Sequence, residues 1–157
     1  MKDYDIKIKG KSDVTLTGTG DNTIIVPSEA KLDSAANKAD IDIKDVSRVT
    51  LGIPKDAEKV EISLEDSSLV IRDLTFERLE INGKGHIVID IENTNGPVDI
   101  NMISGTADLK VHEGFPFTTS LKGKNNRIEC DIPTDCTCRN VIELNGKDSV
   151  LNITRAR

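Results

Sequence analysis

The sequence predicts an all-β protein, a single-stranded β-solenoid (β-helix) of about six to seven coils with a period near 19 residues. Three observations carry that expectation. Ile41, Val60, Leu79, Val98 and Phe117 stand nineteen residues apart, and two places after each come Ile43, Ile62, Ile81, Ile100 and Thr119. One polar residue separates each pair, namely Asp42, Glu61, Glu80, Asp99 or Thr118, which is the alternation of a half-buried strand. The corners repeat as well: Asn82 and Asn101 fall three places into their copies, Ser63 and Ser120 hold the same place, and Pro97 and Pro116 close theirs. A fixed repeat of this length marks an array whose units bury their apolar faces against one another.

Taken in order, residues 3–26 form the first coil. Ile6, Ile8, Val14 and Leu16 repeat the spacing of Ile41, Ile43, Val49 and Leu51, and again of Leu79, Ile81, Ile87 and Ile89. The gaps hold polar residues and glycine, so two short strands meet at a tight corner. Thr23 to Val26 add an apolar strand closed by Pro27. Residues 28–40 leave the pattern as a polar excursion, in which Ser28 is placed to cap a short helical turn through Leu32. Regular coils then occupy 41–132, with bulges where Leu69 and Ile71 arrive one residue early. An irregular loop containing cysteines, 133–141, precedes the last coil, 142–154, whose Ile142-Glu143-Leu144-Asn145-Gly146-Lys147 closely matches Leu79-Glu80-Ile81-Asn82-Gly83-Lys84. The whole of 1–157 reads as one domain, with Ile6, Ile8, Ile142 and Leu144 at the ends of the stack, where solenoid edges offer self-association.

Composition narrows the function classes. Apolar residues make up 36% of the chain, with three Phe, one Tyr and no Trp, so the core must be built from Ile, Val and Leu. A net charge of -6 with both signs interspersed disfavours nucleic acid, which needs a clustered basic surface. No segment has the length and apolarity of a membrane span, and Met1 to Lys11 lacks the continuous apolar stretch of a signal peptide. The chain as given is therefore expected in the cytoplasm without membrane insertion, or at the cell surface if it belongs to a longer exported protein.

The acidic middle positions are the sharpest candidate site. With one-coil register, Asp42, Glu61, Glu80 and Asp99 form a column with neighbours about 5 Å apart, where two charges repel by about 0.8 kcal/mol in water and about 3 kcal/mol at an effective dielectric of 20. Such a column attracts cations, Ca²⁺ being the hard oxygen-seeking choice, or a basic partner. Its plain alternative is a solvated outer face screened by neighbouring lysines. Cys130, Cys136 and Cys138 cluster where the period fails, but a zinc site needs four ligands and His86 and His112 lie in other coils, so no cofactor or metal is expected there. Both histidines read as exposed. The sequence has no G-x-S-x-G elbow, no P-loop and no G-x-G-x-x-G after a strand, so no catalytic residue is assigned.

Ile81-Asn82-Gly83-Lys84-Gly85-His86-Ile87, Asn95-Gly96-Pro97-Val98-Asp99-Ile100 and Ser104-Gly105-Thr106-Ala107-Asp108-Leu109 resemble the repeating corners of bacterial putative-adhesin β-solenoid domains, the head-GIN and autotransporter-adhesin-like kind. Val49-Thr50-Leu51-Gly52-Ile53-Pro54 resembles their opening strand, and the likeness covers roughly 41–153. It implies a non-enzymatic binding or structural protein that presents a repetitive β-face to a glycan, envelope or protein partner. Two other readings stand beside it. One is a polymer-forming scaffold of the cytoskeletal β-helix type. The other is a carbohydrate-active β-helix enzyme, for which short coils and two modest loops leave little to build a cleft.

Overall fold

The computed structural model describes residues 2–135 and 137–155. All of its regular structure is strand: β1 Asp3–Lys9, β2 Asp13–Thr19, β3 Lys31–Ser34, β4 Lys38–Lys44, β5 Arg48–Pro54 and β6 Asp56–Glu65 are followed by β7 Ser68–Asn95, β8 Val98–Val111, β9 Thr118–Leu121, β10 Arg127–Cys130, β11 Val141–Lys147 and β12 Val150–Arg155. They join in one mixed, mostly parallel twelve-stranded sheet in the order β10-β12-β8-β7-β6-β1-β4-β3, with β2, β5, β9 and β11 pairing beside this path.

This corrects the expected solenoid of short coils. The molecule is built on long strands, 28 residues in β7 and 14 in β8, and not on a succession of short repeats. The expected corners are bends inside these strands. Single residues at positive φ, among them Asp73, Gly85 and Asn93 in β7 and Ser104 in β8, turn the chain while the ladder continues past them.

Strand order departs from chain order as well. β1 lies between β4 and β6, pairing Ile6 with Ile41 on one side and with Ile62 on the other. β11 lies between β8 and β9, and β12 between β8 and β10. Ile6, Ile8, Ile142 and Leu144, expected at the ends, are therefore interior and buried. The nineteen-residue offset holds only in the middle, where Val60, Leu79 and Val98 are in register. Ile41 aligns with Ile62 through Ile6, and Val98 with Thr119 through Ile142, an offset of twenty-one at either side.

Parallel register stacks like on like. Ile41, Ile6, Ile62, Ile81, Ile100 and Leu144 form one inward row, and none of the six is more than 1% exposed. Each such side chain contributes about 1.5–3 kcal/mol through burial, and β-branched residues suit the pleat. Facing this leg, Leu16 pairs with Leu51 and Ile71, and Ile89 with Leu109 and through it Ile153. The stretch after Ser28 makes a strand in place of a helical turn: β3 pairs antiparallel with β4, Leu32 opposite Ile41. The expected strand Thr23–Val26 is reduced to a single bridge, Ile25 to Gly52 of β5.

Candidate functional site

The outward residues of the first leg alternate with the apolar row, so they too stack. Asp5 pairs with Asp40 and with Glu61, Glu61 with Glu80, Glu80 with Asp99, and Asp99 with Glu143. With Asp33, opposite Asp40 across β3 and β4, seven carboxylates thus cross seven adjoining strand segments in one row. Three of the four expected members, Glu61, Glu80 and Asp99, are neighbours in it. Asp42 is not: it pairs with Lys7, one row over, because the true offset from Ile41 is twenty-one.

Most of the row is held by donors. Arg78 donates from Nε to Asp99 Oδ2 at 2.9 Å and from a terminal nitrogen to Glu80 Oε1 at 3.3 Å. Asn82 Nδ2 donates to Glu61 Oε1 at 3.1 Å, Asn101 Nδ2 to Asn82 Oδ1 at 3.0 Å, and Lys122 Nζ lies 3.0 Å from Glu143 Oε1. A cation at Glu80 and Asp99 would have to displace the Arg78 guanidinium, which already supplies a fixed, forked counter-charge. The Asp5 end differs. Its Oδ1 is buried without a hydrogen-bond partner, and burial first, then the charge of Glu61, pushes its carboxyl above the ordinary value.

Beside the row lies a groove of about 440 Å³ that crosses β1, β6, β7, β8 and β11. Buried Ile8, Leu64 and Met102 give it an apolar lining, Asn82 and Asn101 are its amides, and Ile103 is 64% exposed at its rim. Gly83 makes room for this lining, since a Cβ there would overlap Met102 Sδ and Ile87 Cδ1. The volume lies within the range of about 300–1,000 Å³ usual for ligand sites.

No family model matches the sequence, and no curated protein matches it. Among solved structures, a protein from Clostridium sporogenes described as a putative cell adhesion protein is similar over 99% of this chain and 93% of its own, with a TM-score of 0.60 at 14% identity. That likeness shows the fold.

Reasoning from sequence missed Asp5, Asp33, Asp40 and Glu143 as members of the row. The Glu143 signal was present in the match between Ile142–Lys147 and Leu79–Lys84, whereas Asp5 and Asp40 needed the insertion of β1 between β4 and β6. The groove needed Gly83 and Met102 side by side. Cys130 and Cys138 are free, half-buried thiols whose Sγ atoms reach the carbonyls of Ile132 and Asn140; Cys136 lies outside the described residues. His86 is exposed and meets Asp108, whose carboxyl is raised by burial but held below its ordinary value by hydrogen bonds from His86 and Asn152. His112 is more enclosed and meets Asp90 and Glu92. No helix among the described residues is long and apolar enough to cross a membrane.

Proposed function

We propose that this chain is a non-enzymatic, adhesin-like binding module that lays an extended glycan chain along the groove, with the acidic row beside it setting the preference for neutral or amine-bearing sugars over acidic ones. The observation that carries this reading is the run of the groove across five neighbouring strands, because a site repeated from strand to strand suits a polymer better than a compact substrate. Its apolar lining fits the CH faces of sugar rings, and the Asn82 and Asn101 amides offer hydrogen bonds to hydroxyls. Hydrogen bonding to the carboxylates and to each other fixes both amides beforehand, which lowers the entropy lost on binding. The similarity in fold to a described adhesion protein supports a role of this class.

A glycan array probed with the purified chain, with N82A/N101A and with Ile103→Glu tests it. Selective binding to neutral or amino-sugar oligomers, lost in both variants while their melting curves are kept, is the expected result. Chain shortening of a bound polysaccharide would instead point to the enzyme reading. Retention on protein partners with no glycan bound would replace the glycan by a peptide in the same groove.

A further inference from the structure

On the second leg, away from the acidic row, two metal-ligating side chains of β7 and one from the segment after β8 converge. Asp90 and Glu92 alternate on β7 and so share its outer face, while His112 follows β8, next to the Ile91–Val111 pair. The His112 Nε2 lies 2.9 Å from Asp90 Oδ1 and 3.6 Å from Glu92 Oε1, and one donor atom from each of the three lies within 4.8 Å of the others. For metal–donor bonds of about 2.1 Å, adjacent donors in tetrahedral or octahedral geometry stand about 3.0–3.4 Å apart, so the two His112 separations are within a few tenths of an ångström of that spacing.

Two features outside the triad fit a ligand site. Arg72 pairs with Glu92 through Oε2, the oxygen turned away from His112, and so orients the carboxylate while leaving Oε1 free for the centre. Next to His112 opens a cavity of about 260 Å³ that also takes in Asn93 and Thr94, and the Thr94 Oγ1 is buried with no hydrogen-bond partner. Of the three donors His112 is the one that lines this cavity, so room for water or a further ligand lies on the imidazole side of the triad.

We propose that Asp90, Glu92 and His112 form a binding site for a divalent transition cation of the zinc, cobalt or nickel kind, open toward this cavity. The imidazole nitrogen selects such ions over Ca²⁺ and Mg²⁺, which take oxygen donors. Bound there, the ion bridges β7 and the segment after β8. The proposal stands apart from the glycan groove and survives its loss.

Isothermal titration of the full chain with ZnCl₂, and of the same chain with CoCl₂ followed by visible absorption, tests it. Saturation at one ion per chain is expected, with cobalt bands typical of mixed nitrogen and oxygen ligation. His112→Gln should weaken binding about tenfold or more, while His86→Gln, which removes the other histidine, leaves it unchanged. Should H112Q fold poorly, a hyperfine-shifted imidazole N–H resonance in the cobalt-loaded wild type is the substitute readout. No saturable binding, equal affinity in H112Q, or a cobalt complex without that resonance overturns the site.

Discussion

Asp5 shows how one misplaced-looking atom sets a pH dependence. Its carboxyl is raised by burial and by Glu61, so the folded state favours the protonated form. The stability gained that way is present below the unfolded pKa and is lost as pH rises through the folded one. At pH 7 Asp5 is therefore a liability, and Asp5→Asn should stabilise the protein by about 1 kcal/mol. The difference should close as pH falls below the usual aspartate range. Thermal unfolding of both proteins at pH 7 and pH 3 checks this, and a less stable D5N at pH 7 would mean the buried oxygen has a partner. Gly146 is a backbone counterpart. It holds φ +114°, and a Cβ there would fall on the Met102 carbonyl. Gly146→Ala should cost about 2 kcal/mol in urea unfolding, against little for Gly20→Ala, where no heavy atom lies within 4 Å. Equal midpoints for the two would show that β8 and β11 can separate without loss.

At the scale of elements, what the sequence discloses is alternation, and what it conceals is which strand lies beside which. Glu61, Glu80 and Asp99 were legible as a row because β6, β7 and β8 are consecutive in both chain and sheet, so the nineteen-residue spacing is also the register. Asp42 was misplaced because β1 intervenes, and no one-dimensional period records a strand that returns to a gap between two later ones. Strand length was hidden for a related reason: Gly85 and Ser104 sit in the corner motifs, yet they turn the chain inside a ladder that goes on. β3 is where an element has a task of its own. It pairs antiparallel with β4 over Lys31–Ser34 and so occupies hydrogen-bonding groups that a bare edge would offer to another chain. Adjacent residues of a strand direct their amides to opposite sides, so Leu32→Pro with Asp33→Pro removes the donor facing β4 whichever of the two it is. The double variant should keep its core and acquire concentration-dependent association in sedimentation velocity. If it stays monomeric, β3 is not what protects that edge.

At the scale of the whole molecule, the two sheet margins bear on self-assembly, because an open filament needs two free, complementary edges on every subunit. One margin of this sheet carries β3 and the Ile25–Gly52 bridge. At the other, β9 and β10 pair only with β11 and β12 among the described residues, so this margin, like the outer side of β3, is open. It is made of four-residue strands, with Arg127 in β10 and Lys122 and Lys124 following β9, and short, positively charged edges resist strand addition. Leu121, 53% exposed on β9, is the apolar contact available there. With both margins short and carrying lysine, extended assembly is discouraged, and the contact that exposed Leu121 favours is a closed pair through β9 and β10, in which the same edge meets itself. Sedimentation velocity over a hundredfold range of concentration should show a monomer, or at most a dimer that Leu121→Lys dissolves. A continuing series of larger species would mean that both margins pair, and would move the function from the groove to the ends.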